Sequence, residues 1–157
     1  MTGSWRGRFS ARIDSKGRVK IPSGLYQGKA TSKAPRFFIT NNVFQGQRFL
    51  DVFPEKEWNR LESKISEMPR FHLDVQAFKR FYISSAIVVE SDSQSRLLVP
   101  QDLREYAKFS EDIVIVGAIS HFEIWDVKAW QKFHQSVSEN FEDIVATISN
   151  LEPGKKK

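Results

Sequence analysis

The segment Asp-Ser-Lys-Gly-Arg-Val-Lys-Ile-Pro-Ser-Gly-Leu at 14–25 recurs, altered, as Asp-Ser-Gln-Ser-Arg-Leu-Leu-Val-Pro-Gln-Asp-Leu at 92–103. Asp, Ser, Arg, Pro and Leu keep their places, and the pairs Val19/Leu97 and Ile21/Val99 stay apolar. The offset of 78 residues is half of the 157-residue chain. A weaker echo relates Leu50-Asp51-Val52-Phe53-Pro54 and Trp58 to Phe122-Glu123-Ile124-Trp125-Asp126 and Trp130. Two copies of this length are too few and too long for a solenoid. The pattern predicts a small unit written twice, an internal pseudo-dimer presenting two versions of one surface.

Each copy opens with strand periodicity. Trp5, Phe9, Ala11 and Ile13 fall on one face of a strand, and Arg6, Arg8, Ser10 and Arg12 on the other. Asp14 to Gly17 supplies turn chemistry, since Asp bonds its own backbone and Gly accepts positive φ. Arg18 to Ile21 resumes the alternation, with Val19 and Ile21 inward and Arg18 and Lys20 outward. The expected product is a hairpin with one cationic face, after which Pro22 starts a short helical turn and Leu25 returns to the core. In the second copy, strands at 86–91 and 96–99 flank the turn at 92–95. Pro100 opens a helix to about Ala107, with Leu103 and Tyr106 inward. Leu98 stands in place of Lys20 and Ser95 in place of Gly17, which thins the cationic face to Arg96.

Further strands are expected at 36–40, 48–53, 113–118 and 121–125. A helix begins at Pro54, where Trp58, Leu61, Ile65 and Met68 recur at helical spacing. Others are expected over 74–83 and from Val127 toward Ile148, the last with a break near Asn140. The C-terminal helices read as packed, the segment 27–35 as a mobile loop, and 150–157 as a disordered basic tail. The divisions that follow are 5–83 for the first repeat and 84–149 for the second.

Charge is placed, not spread. Net charge is +5, and residues 1–20 alone carry six basic residues (Arg6, Arg8, Arg12, Lys16, Arg18, Lys20) against Asp14. Residues 1–80 carry +9 and residues 81–157 carry −4, which implies a directed electrostatic surface. A hydrophobic fraction of 40% is enough for a real core. No apolar run approaches a membrane span, no secretory h-region precedes Arg6–Arg8, and there is no cysteine for disulfides or thiolate metal sites. A cytoplasmic protein without a membrane partner is expected.

Nothing in the chain asks for catalysis. His72, His121 and His134 lack ligand spacing, and neither a Gly-rich phosphate loop nor a nucleophile elbow is present. The glutamates at 55, 57, 62 and 67 read as a solvated helix face. No enzyme activity, cofactor, metal or small-molecule substrate is expected. The arginines of the two turns stand out instead. Asp14 with Arg18, and Asp92 with Arg96, read as salt bridges fixing the turn. They read equally as carboxylates aiming a guanidinium fork at phosphate or a guanine edge. The two readings are compatible, and a two-stranded ribbon fits a major groove.

At these residues the chain resembles the MraZ family. The resemblance rests on Trp-Arg-Gly-Arg-Phe at 5–9, the paired Asp-x-x-x-Arg motifs at 14–18 and 92–96, and Ile-Pro and Val-Pro at 21–22 and 99–100. It extends to Ala77-Phe78-Lys79-Arg80-Phe81 and to Val116-Gly117 before Phe122-Glu123-Ile124-Trp125, so it spans roughly 5–148. Ser95 departs from it, standing where a turn glycine is expected, and the 27–35 loop is hard to align. The resemblance implies a β-rich α+β protein. Its two pseudo-symmetric AbrB-like swapped-hairpin halves would form one double-split β-barrel-like core with peripheral helices. It also implies a nucleoid-associated transcriptional repressor of the bacterial division and cell-wall gene cluster. Such a protein binds short G-rich repeats in double-stranded DNA as a ring-like homo-oligomer larger than a dimer. Asp14, Arg18, Asp92 and Arg96 match the family motifs, with Lys16, Lys20, Arg6, Arg8 and Arg12 as further DNA contacts. Two other readings stay open: another AbrB-like regulator or antitoxin, and a nucleic-acid-associated assembly scaffold that reads no sequence.

Overall fold

The fold is that of a computed structural model, which describes residues 3–28 and 34–151. Most of the expected loop at 27–35 and of the tail at 150–157, namely 29–33 and 152–157, lies outside the described residues.

The elements in chain order are β1 (Ser4–Trp5), β2 (Arg8–Arg12), β3 (Arg18–Lys20), β4 (Tyr26–Gln27), β5 (Arg36–Phe44), β6 (Gln47–Pro54), α1 (Glu55–Ser66) and α2 (Leu73–Phe78). A π-helical turn, Lys79–Ile83, continues α2. The second half holds β7 (Ile87–Glu90), β8 (Arg96–Leu98), α3 (Gln101–Tyr106), β9 (Asp112–Gly117), β10 (Phe122–Asp126) and α4 (Val127–Ser149). The protein is α+β and strand-rich.

The main sheet is antiparallel, with six strands in the order β2-β9-β10-β6-β5-β7. Within this sheet each first-half strand (β2, β5 and β6) lies beside a second-half strand, so the halves interleave. The echoed strands β6 and β10 pair at the centre, with Asp51 opposite Glu123 and Leu50 opposite Ile124. Two further ribbons, β1–β4 and β3–β8, stand apart from this sheet. Alternation along β6 and β10 sends Leu50, Val52, Phe122 and Ile124 into the main core, where Val19 and Leu97 of the β3–β8 ribbon meet them. Phe53 and Trp58 pack on the other face, with Tyr82.

Two expectations about strands need correction. The strand expected from Trp5 to Ile13 is interrupted at Gly7, whose φ of +102° turns the chain. Trp5 therefore pairs with Tyr26 in a separate ribbon, although it and Ile13 are buried as the alternation requires. The expected hairpins do not close either. After the 14–17 turn β3 leaves β2; β2 pairs with β9 while β3 pairs with β8. In the second copy β7 pairs with β5 and β8 with β3. Strand periodicity identifies the buried face but not the partner, and long-range pairing wins here.

The last helix corrects two more. α4 is continuous through Asn140, capped at its start by the Asp126 carboxylate accepting from the Lys128 amide at 3.1 Å. Its first turns pack by Trp130 and Phe133 on Trp125. Beyond them it is not packed: Phe141 and Ile148 are each 57% exposed.

Candidate nucleic-acid interface

Both recurrent motifs fold into the same turn. The Gly17 amide donates to the Asp14 carbonyl at 3.0 Å, and the Ser95 amide donates to the Asp92 carbonyl at 3.0 Å. Asp14 Oδ1 accepts from the Lys16 and Arg18 amides at 3.0 and 2.8 Å; Asp92 Oδ1 accepts from the Gln94 and Arg96 amides at 2.9 Å each. The other carboxylate oxygen takes the arginine side chain. Arg18 Nε donates to Asp14 Oδ2 at 2.7 Å, and Arg96 Nε donates to Asp92 Oδ2 at 2.8 Å. The Arg18 amide, with its guanidinium and the Lys16 amide, lowers the Asp14 carboxyl from its ordinary 3.8 to about 2. Asp92 is lowered for the same reason, led by the Arg96 amide. Both carboxylates are therefore ionised at neutral pH, and each holds its arginine by Nε alone. Among the described residues the terminal nitrogens of Arg18 and Arg96 have no hydrogen-bond partner.

The two turns are also locked to each other. The Val99 amide donates to the Gly17 carbonyl and the Ile21 amide to the Ser95 carbonyl, both at 2.8 Å. Between these clamps β3 and β8 pair with Arg18 opposite Leu98, Val19 opposite Leu97 and Lys20 opposite Arg96. Val19 and Leu97 are buried beneath the ribbon, so Arg18, Lys20, Arg96 and Leu98 share its outer face. Arg104 supports the arrangement from below. Its Nε donates to the Val99 carbonyl at 3.0 Å, and a Cβ on Gly17 would come within 2.7 Å of its guanidinium. Gly17 has a φ of +90° and is buried, so that position suits glycine alone.

Of the candidate residues, Arg18, Lys20 and Arg96 gather on one ribbon, with Lys16 exposed in the adjoining turn. The other candidates lie elsewhere. Arg12, on β2, faces Glu111 and Asp112, the second at 3.5 Å, so its charge is already matched. Arg8 sits over the Trp130 ring at 5.8 Å, and Arg6 is exposed at the bend before Gly7. The expectation that Arg8 and Arg12 lie across a hairpin from Arg18 fails with the hairpin itself. Sequence reasoning missed Arg104, whose part depends on a contact between copies that no local spacing reveals.

Residues 5–81 and 83–150 each match the family described as "MraZ protein, putative antitoxin-like". This chain belongs to the MraZ family. The protein called "Transcriptional regulator MraZ" of Desulforamulus reducens is 35% identical over 145 residues, 92% of this chain and 97% of that one. Those of the same name from Natranaerobius thermophilus and Heliobacterium modesticaldum are each 34% identical, over 93% of this chain and 97% of theirs. A member of the MraZ family is a transcription regulator and not an enzyme. Two successive family matches parallel the two turns of this MraZ-family chain. Against the glycine that the family resemblance leads one to expect, Ser95 holds the required left-handed conformation with a φ of +59°. Among the described residues no helix is long and apolar enough to cross a membrane.

Proposed function

We propose that this chain represses transcription by sequence-specific binding of double-stranded DNA through the outer face of the β3–β8 ribbon. One observation carries the reading: two arginines, each held at Nε by an ionised aspartate, share a rigid face with their terminal nitrogens unpaired. A guanidinium held this way offers two donors in the spacing of guanine O6 and N7, and pre-positioning reduces the entropy lost on binding. Arg18 and Arg96 are the base-reading residues, and Asp14 and Asp92 aim them. Lys16, Lys20, Arg8 and Arg6 supply phosphate contacts; Arg12 contributes least, being paired. Direct readout by the arginines agrees with targets of short G-rich repeats upstream of the bacterial division and cell-wall genes, and with a cytoplasmic, nucleoid-associated protein.

The interleaved pairings favour two AbrB-like swapped-hairpin halves, 5–83 and 84–149, in one barrel-like core. One ribbon spans few base pairs, so useful affinity for tandem repeats needs several ribbons linked in one particle. The exposed apolar residues Phe141, Val145, Ile148 and Leu151 at the end of α4 suit contacts between copies in a ring larger than a dimer. The same exposed helix end is what an antitoxin would offer a partner protein, so light scattering of the pure chain separates the two. A stable monomer at micromolar concentration and physiological salt removes the ring. Selection of bound sites from random duplex DNA tests the main reading. Guanine-containing repeats should be enriched by the wild type and lost with Arg18→Ala; enrichment of no sequence would leave only a scaffold that binds nucleic acid by charge.

A further inference from the structure

On the face of the main sheet opposite the β3–β8 ribbon, a second constellation sits where the two copies meet. Asp51 of β6 and Glu123 of β10 lie directly opposite each other. His121, just before β10, stacks on Phe53 with ring centroids 4.1 Å apart. Its Nε2 lies 3.4 Å from Asp51 Oδ1 and 4.0 Å from Glu123 Oε2. Among the described residues this is the one group of three His, Asp or Glu side chains whose ligand atoms all lie within 4.8 Å of one another.

Each member is held from behind by its other atom. Ser120 Oγ lies 3.0 Å from His121 Nδ1, and Trp125 Nε1 donates to Glu123 Oε1 at 2.9 Å. Asn42 Nδ2 donates to Asp51 Oδ2 at 2.8 Å, and the Tyr82 hydroxyl donates to the same oxygen. These outer contacts leave Nε2, Oε2 and Oδ1 turned toward one another. Asp51 is only 2% exposed, yet its Oδ1 has no hydrogen-bond partner. Buried polar atoms are seldom left so, and a buried carboxylate facing a second, half-buried one calls for a cation. One imidazole nitrogen and two carboxylate oxygens suit a borderline first-row dication, with a fourth position left for water. The His121–Asp51 separation of 3.4 Å equals the edge of a tetrahedron with metal–ligand bonds of about 2.0–2.1 Å, roughly 3.4 Å, and Glu123, at 4.0 Å, closes on the ion by a small side-chain shift. Outer contacts of this kind are those that orient metal ligands.

We propose that Asp51, His121 and Glu123 form a binding site for a divalent first-row transition-metal ion, zinc the best match. The ion clips β6 of the first copy to β10 of the second. The proposal rests on this cluster alone and is independent of DNA reading.

The test uses the full chain after chelator treatment, titrated with zinc by calorimetry and followed by thermal melting. One zinc should bind per chain, with a saturable rise in Tm. His121→Gln, whose fold is checked by the melting curve without metal, should weaken binding by about 100-fold or more, beyond the 10–100-fold typical of outer contacts. Glu123→Gln should do the same, whereas His72→Gln with His134→Gln should bind as the wild type does. Cobalt added to the wild type should give the visible ligand-field absorption of a four-coordinate site, a readout that needs no variant to fold. Absence of that band, absence of stoichiometric zinc, or zinc binding that survives His121→Gln would each overturn the site. The imidazole would then be no more than a bridge between two carboxylates.

Discussion

Under the proposed DNA reading, the arginine at 18 and the residues beside it decide between base readout and simple charge. Arg18→Ala should lose about 1–3 kcal/mol of specific DNA binding per engaged guanine and blunt sequence preference. Arg18→Lys should rescue poorly, because an ammonium lacks the fork. Wild-type affinity and preference in Arg18→Lys, measured by competition with scrambled DNA, would reduce the residue to a positive charge. Lys16→Ala should instead weaken specific and scrambled DNA alike and flatten the salt dependence. The carboxylates that aim the arginines make a second prediction. A carboxyl lowered in the folded state contributes stability that is present above its ordinary titration range and is lost as pH falls through the folded value. The turns should therefore stay ordered through mild acid, the Asp14 carboxyl carbon titrating by NMR near 2 and not near 3.8. A midpoint near 3.8 would mean the Asp14–Arg18 contacts are absent in solution. At the turn apex the copies differ in cost. Ser95→Gly removes a left-handed side chain and should stabilise by up to about 1 kcal/mol. Gly17→Ser adds both that conformation and a collision with Arg104, and should destabilise by about 1–3 kcal/mol in denaturant melts.

The ribbon β3–β8 is the element in which the copies diverge most visibly, because Leu98, 54% exposed, stands where the first copy has Lys20. Leu98→Lys should restore the missing cation, strengthen binding to any duplex and steepen the log–log salt slope by about one. An unchanged slope would place that edge of the ribbon away from the phosphates. Beneath it, Leu97→Ala should cost about 2–5 kcal/mol in folding, since Leu97 is fully buried against the sheet. The same ribbon shows what the chain reveals before it folds. Alternation at Arg18-Val19-Lys20 and Arg96-Leu97-Leu98 correctly separates buried from exposed, and the Asp-x-x-x-Arg spacing correctly gives the turn and its carboxylate–arginine contact. The partner strand is not legible, because period two is satisfied equally by the neighbour in sequence and by a strand about 80 residues away. Proximity in sequence favours the hairpin; burial of Val19 against Leu97 across the copies decides otherwise. His121 reads as an isolated histidine for a related reason: one partner, Glu123, is two residues away, and Asp51 reaches it only through the β6–β10 pairing.

At the scale of the whole molecule, the strand order β2-β9-β10-β6-β5-β7 reads the same from either end when each strand is replaced by its counterpart in the other copy. Neither half then holds a complete sheet. Expressed separately, 5–83 and 84–149 should each fail to form a folded monomer, and mixing them should recover the far-UV circular dichroism of the intact chain. A half that melts cooperatively as a monomer would refute the interleaving. The clamps from Gly17 to Val99 and from Ser95 to Ile21 carry a consequence for how such a protein changes over time. Each loop is anchored on the other copy, so neither can be re-aimed alone, and a one-residue insertion in a paired strand reverses the faces of the rest of that strand and breaks its register with the other copy. A change of length is accommodated only outside the ladder, for instance at 67–72 between α1 and α2. Novelty on the ribbon's outer face must come from exchanging side chains on a frame that the pairing of the two copies has made immovable.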